Sequence, residues 1–198
     1  LVRKDGDIGG KNKRKIGMRK QCIDVHNPGR SHGSAGSVVF PLLECPDPRI
    51  KLDETHGEYI LLLGRVTYKG FAVAWPGRTD EAGFAERKNR LPKYVVSTTM
   101  HEAGWSNSHL IKNNIAEEVA RLKQQPGRDI LIGGSGTLAH SLMQDDLIDK
   151  YRLLVDPIAR GSGKRLFKDG GAAKLKLVES RPAGSGVVLL EYELDKKE

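Results

Sequence analysis

The stretch DILIGGSGTLAHSL, residues 129–142, decides how the fold is read. Asp129–Ile132 has the make-up of a short buried strand, and a helix-like run follows over Thr137–Met143. Between them stand Gly133, Gly134, Ser135 and Gly136. One glycine would serve a tight turn; three bare the backbone, so that a ligand can approach it closely. The order G-G-S-G is not the G-x-G-x-x-G dinucleotide fingerprint, and no acidic residue follows at that motif's spacing. Two readings stand. One is a plain strand-to-helix turn. The other, favoured by the number of glycines, is a backbone cradle at a helix N-terminus, where free N–H groups attract an anion.

The same strand-then-helix rhythm extends outward in both directions. Upstream, Glu58–Leu63 reads as a buried strand. Arg65–Trp75 reads as a helix with Tyr68, Phe71, Ala72 and Trp75 on one face. Asp80 is placed to cap a second helical run to Leu91, and Lys93–Ser97 and Ser108–Ile111 read as strands. Asn113 or Asn114 can N-cap a helix with Ile115, Val119 and Leu122 in step, acids Glu117 and Glu118 in its first turn, and a stop before Pro126-Gly127. Downstream, Lys150–Ile158 reads as a strand, and Leu175–Ser180 with Val187–Leu194 as a hairpin across RPAGSG. This order predicts an α/β fold: a mixed, mostly parallel sheet, helices on both faces and a C-terminal antiparallel hairpin. In such sheets ligands bind at the carboxyl ends of strands.

Two further strand exits share the chemistry of the first. In LLLGRVTYKGF, Gly64 ends a strand and Arg65 and Thr67 open a helix, offering free N–H groups, a guanidinium fork and a hydroxyl. In YVVSTT, Ser97, Thr98 and Thr99 offer hydroxyls where a ribose or phosphate can lie. Each alone is also compatible with an ordinary turn or a solvated loop. Together they describe a cleft able to hold a pyrophosphate at two helix ends and a 2′-phosphate near Arg65, which points to NADPH rather than NADH.

Composition narrows the alternatives. The chain has 198 residues, a length that suits one domain, or one domain with a tail. No run approaches 18 apolar residues, and no apolar segment follows the basic N-terminus, so neither a membrane span nor a secretory signal is expected. Cys22 and Cys45 form no CxxC, which fits a reducing cytoplasm. The net charge of +8 invites a nucleic-acid reading. Residues 1–36 carry +6 of it, with no Phe, Tyr or Trp among them, so the charge belongs to a Gly-rich segment without stacking platforms. That segment shows no sustained period and is expected to be a loop or disordered tail, with residues 37–198 forming the domain.

With these motifs in place, the chain resembles the dihydrofolate reductase-like superfamily, in the bacterial branch of the riboflavin-biosynthesis reductase (the C-terminal domain of the bifunctional deaminase-reductase). The resemblance rests on LLLGRVTYKGFAVAWP, FAERKNRLPKYVVSTT, EEVARLKQQPGRDILIGGSGTLAHSL, LIDKYRLLVDPIARGSGKRLF and GSGVVLLEYEL, in family order over about residues 36–194. It implies NADPH across the carboxyl edge of the sheet and hydride transfer to a pterin-like or pyrimidine-like substrate. The activity implied is of the 5-amino-6-(5-phosphoribosylamino)uracil reductase type, in a cytoplasmic homodimer. Carried over by position, Gly64, Arg65 and Thr67 match the G-R-x-T cofactor motif, with Arg65 at the 2′-phosphate. Ser97 and Thr98 would lie at the adenosine, and Gly133, Gly134, Ser135, Gly136, Thr137 and Leu138 at the pyrophosphate. Gly161–Phe167 would be a rim loop.

The N-terminal segment departs from the pattern. Met18-Arg19-Lys20 looks like the family's start, but QCIDVHNPGRSHGSAG after it is neither an apolar strand nor the expected turn. The family's first strand is therefore expected to be missing, through a frame-shifted or chimeric start. Asp53 and Glu54 are the candidate proton donors; a plain role as first-turn charges of a short helix is the competing reading. The six histidines are scattered, and His26 and His32, which could be imagined as ligands, lie in the anomalous segment, so no metal site is expected. Two other functions compete: a non-catalytic member of the same fold, and a nucleic-acid binder working through the basic tail.

Overall fold

The computed structural model describes the backbone of 16–21 and residues 60–80, 83–127, 129–133, 135–158, 174–182 and 186–195. Eight strands form one sheet. They are β1 (Ile16–Gln21), β2 (Ile60–Gly64), β3 (Lys93–Val96), β4 (Ser108–Ile111), β5 (Ile130–Gly133), β6 (Lys150–Val155), β7 (Leu175–Pro182) and β8 (Val188–Leu194). Their spatial order is β4-β3-β2-β5-β1-β6-β8-β7. The first six run parallel; β8 is antiparallel to β6, and β7 to β8. The expected mixed sheet with a C-terminal hairpin is what the chain forms.

Among the described residues four helices cover the two faces: α1 (Arg65–Ala74), α2 (Phe84–Arg90), α3 (Ile115–Gln124) and α4 (Gly136–Gln144). The side-chain alternation of β2 divides the core. Ile60 and Leu62 pack with Val119, Leu122, Leu138 and Leu142 of α3 and α4. Leu61 and Leu63 pack with Tyr68 and Phe71 of α1 and Ala85 of α2. A strand buried on both faces reads as a continuous apolar run, as ILLL does. No described helix is long and apolar enough to cross a membrane.

One expectation is corrected here. Residues 16–21, placed in a tail without strands, form β1 in the middle of the sheet. Ile16 pairs with Ile130 and Arg19 with Gly133 on one side, while Gly17 pairs with Lys150 and Gln21 with Leu154 on the other. Central parallel strands are normally apolar throughout, and IGMRKQ is not, which hid it. Its place rests on backbone hydrogen bonds to both neighbours, which any side chain permits. The remainder of 1–36 lies outside the described residues.

Local chemistry sets several boundaries. Asp80 caps α2 from outside it: its carboxylate accepts the N–H groups of Phe84 (2.9 Å) and Ala85 (2.6 Å). Asn114 occupies the N-cap of α3 but makes no side-chain cap hydrogen bond, so the expected asparagine cap holds in position only. β6 stops at Val155 rather than Ile158, because Pro157 has no N–H to give a ladder. Gly186 turns the hairpin at φ +80°, where a Cβ would also come within 2.9 Å of Pro157 Cγ.

Candidate functional site: the strand exits of β2, β3 and β5

β3, β2 and β5 are neighbours, so the three exits line one edge of the sheet. Two of them are tied together. The Gly64 N–H donates to Ser135 Oγ at 2.8 Å, and Ser135 Oγ donates to Thr67 Oγ1 at 2.9 Å. A Cβ on Gly64 would stand 3.4 Å from Ser135 Oγ and 3.8 Å from Leu138 Cβ, in van der Waals contact with the start of α4, so the two exits lie directly against each other. Ser135 holds left-handed backbone angles (φ 51°, ψ 50°), unusual for a residue with a side chain, and its carbonyl accepts the Ala139 N–H. The N-termini of α1 and α4 are thereby held side by side.

Both ends are electrostatically open. Neither α1 nor α4 has an acidic residue in its first turn or a side-chain cap. By contrast, α3 starts at the same sheet edge and carries Glu117 and Glu118 in its first turn. An uncompensated helix N-terminus keeps its partial positive charge and its free N–H groups for an external anion. Arg65 is exposed and makes no ion pair with the described residues. A Cβ on Gly136 would meet nothing within 4 Å, so the backbone there is open to approach.

The expected site residues separate into two kinds. Arg65, Thr98, Gly136 and Thr137 are exposed at the exits and available. Thr67 is only 6% exposed, and its hydroxyl and that of Ser135 are engaged with each other, so they position the site and do not face a ligand. Ser97 is likewise 6% exposed; its Oγ accepts the N–H groups of Thr99 (3.2 Å) and Met100 (3.1 Å), closing its own turn. The Leu138 side chain packs in the core with Leu142 and Ala139, which leaves only its backbone for the site. Gly133 lies at the end of β5, 3.9 Å (from an added Cβ) from the Phe71 ring. Gly134, Asp53, Glu54 and the Gly161–Phe167 loop lie outside the described residues.

Two features went unread in the sequence. A cavity of about 620 Å³ lies on the flank of α1, lined by Tyr68, Ala72, Asn89, Met100 and Trp105, and it adjoins the β3 exit through Met100. Beside it Lys93 is fully buried, donating to the carbonyls of Asn89 (2.8 Å), Leu91 (2.7 Å) and Ser106 (3.1 Å) under the Trp105 ring. Burial, then the nearby Lys88 charge, pulls this ammonium down to about 8. On β6 and β8, Glu191 accepts from Lys150 Nζ at 2.6 Å and Arg152 Nε at 2.5 Å. Burial pushes the Glu191 carboxyl up, and the hydrogen bonds and charges of Lys150 and Arg152 outweigh it, so the group sits below its ordinary value and stays an anion. The signal was present as alternating charges, K-Y-R on one strand and E-Y-E on the other, but it needs the strand register to be read.

A model of the RibD C-terminal domain matches residues 49–189. The chain belongs to the RibD C-terminal domain family. It is 40% identical over 101 residues to the uncharacterised protein YyaP of Bacillus subtilis (strain 168), covering 50% of this chain and 53% of YyaP. It is 38% identical over 71 residues to YwjB of the same organism, covering 35% of this chain and 41% of YwjB. The matches thus span about half the length of these relatives. Among solved structures, the chain superposes on a Shewanella sp. PV-4 protein described under riboflavin biosynthesis with a TM-score of 0.63 and 17% identity, covering 92% of this chain and 99% of the other. It superposes on dihydrofolate reductase from Enterococcus faecalis, complexed with NADP(H) and RAB-propyl, with a TM-score of 0.55 and 13% identity, over 92% and 97%. Acinetobacter baumannii RibD gives 0.55 and 15%, over 93% and 59%. These likenesses establish the dihydrofolate reductase-like fold, and this RibD C-terminal-type domain carries its strand exits where that fold has its carboxyl edge.

Proposed function

We propose that this RibD C-terminal-type domain is an NADPH-dependent reductase that transfers hydride to a pyrimidine-like or pterin-like substrate, of the riboflavin-biosynthesis type. The observation that carries the reading is the pair of acid-free helix N-termini clamped together through Ser135, with Arg65 exposed beside them. These residues suit a dinucleotide phosphate. The backbone of Gly136, Thr137 and Leu138 and the first turn of α1 would hold the pyrophosphate, and the Arg65 fork would take the 2′-phosphate. When bound, the cofactor supplies the hydride. The chain's own part is to bind and orient: the Ser135 clamp keeps two N-termini pre-organised, so less ordering is lost on binding. The cytoplasmic homodimer implied by the resemblance belongs to the same proposal.

Thermal unfolding with NADPH and with NADH tests it. A ligand specific to the folded state adds RT ln(1 + [L]/Kd), about 2.7 kcal/mol at 100 times Kd, or roughly 5–10 °C for a chain of this size. NADPH is expected to raise the midpoint more than NADH, and Arg65→Ala to remove the difference between them. Equal shifts for both cofactors, or none from a folded sample, refute the assignment.

A further inference from the structure

The charged cluster between β6 and β8 is not used by the cofactor reading, and it sits where a substrate would reach. Arg152 and Gly133 are both level with Arg19, one on each side of β1. They are therefore two strand spacings apart, roughly 10 Å. Tyr151 packs in the core under α3 and α4, so its neighbour Arg152 points to the opposite face, the one that carries α1. Its side chain is 41% exposed.

The geometry of the pair is directional. Glu191, with its side chain 6% exposed, takes the Arg152 Nε, while Lys150 occupies its other oxygen. The terminal nitrogens of Arg152 make no hydrogen bond with the described residues. A guanidinium held by its Nε is oriented, with most of its terminal N–H donors pointing off the edge that meets the carboxylate. Glu193 stands 3.8 Å from Lys150, so two carboxylates match the two cations in number, and what the patch offers an anion is the fork of Arg152 and not a net charge. A structural ion pair needs only the contact; an anchored fork with free donors is suited to a planar or tetrahedral oxyanion.

We infer that Arg152, oriented by Glu191, is the residue through which this chain recognises an anionic group of its substrate, a phosphate or a carboxylate carried roughly 10 Å from the glycine turn of β5. The inference rests on the reductase reading for the identity of the substrate. Glu191 is a positioning residue here, and Lys150 keeps it ionised.

Ligand-observed NMR titrations test this with two pairs of probes: ribose 5-phosphate against ribose, and folate against 6-hydroxymethylpterin. At least one anionic probe is expected to bind tenfold or more tightly than its neutral partner, and which one does so distinguishes phosphate from carboxylate. Arg152→Gln should bring that pair within twofold. Its fold is protected because Glu191 retains Lys150. Arg152→Lys should not restore the preference, since an ammonium lacks the fork, and Glu191→Gln should reduce it about threefold by freeing the guanidinium. Equal binding within both pairs, no binding of either anionic probe, or a preference that survives Arg152→Gln overturns the inference. NADPH is titrated in parallel on every variant. NADPH binding without an Arg152-dependent preference sinks this inference and spares the reductase reading. An Arg152-dependent preference without NADPH binding does the reverse.

Discussion

Three helices begin at the same edge of the sheet, and they begin differently. α3 carries Glu117 and Glu118 in its first turn and so neutralises its own dipole. α1 and α4 carry no acid there, and a serine hydroxyl joins their ends across 71 residues of sequence. A helix that has only to be stable compensates its N-terminus from within. Two helices that leave theirs open, fixed side by side, are arranged for an anion from outside. The contrast is internal to one molecule, so composition and solvent are shared and the difference belongs to the role of each helix.

The largest effect expected is from giving α4 what α3 already has. Thr137→Glu, at an exposed first-turn position, should weaken NADPH binding about 100-fold, a loss of about 2.7 kcal/mol. The same change should leave the unfolding midpoint unchanged or slightly higher, because an acid there favours the helix. Fluorescence titration and a melt on one sample check both halves. A variant that keeps its affinity would show that the open helix end is not where the cofactor lies.

Next in size is the clamp. Ser135→Ala leaves the Gly64 N–H without its acceptor and Thr67 without its donor, and should cost about 1–3 kcal/mol in chemical denaturation. NADPH affinity should fall with it. If stability drops and affinity holds, the hydroxyl joins the helices without organising the site.

The converse change, Glu117→Gln with Glu118→Gln in α3, should destabilise by about 0.3–1 kcal/mol per charge and leave NADPH binding untouched. The last prediction serves as the control, because no effect on the cofactor is expected from it. Lys93 lies on the α1 and α2 face, in the cluster with Trp105 that borders the flank cavity. Its folded state holds the proton less tightly than the unfolded chain, about 8 against 10.5. Stability should therefore gain a rising component as pH climbs from about 8 toward 10.5, and Lys93→Met should remove that slope. The preference for NADPH over NADH should not follow it.

Much of the architecture was legible along the chain. ILLL reads as a strand buried on both faces, and Ile115, Val119 and Leu122 read as one helix face, because side-chain direction follows from backbone geometry over a few residues. The exits were legible for the same reason: a glycine ending a strand and a helix beginning at once place N–H groups at the sheet edge wherever the strand goes. β1 was missed because a central strand was expected to be apolar, whereas backbone pairing on both sides admits Arg19 and Lys20. Ser97 was assigned to a ligand although its hydroxyl closes its own turn, a local alternative for any serine in such a position.

What the sequence by itself determined was the kind of each element from β2 onward and the three glycine- or hydroxyl-bearing exits, since these depend on contacts within a turn or a strand. What only the tertiary structure decided was the use of each side chain at those exits. Ser135 meets Gly64 and Thr67 because β5 lies beside β2, and Glu191 meets Arg152 because β8 pairs with β6 in one register. A shift of one residue in either pairing would turn those side chains to the other face, so their roles are set by long-range register, which local pattern does not encode.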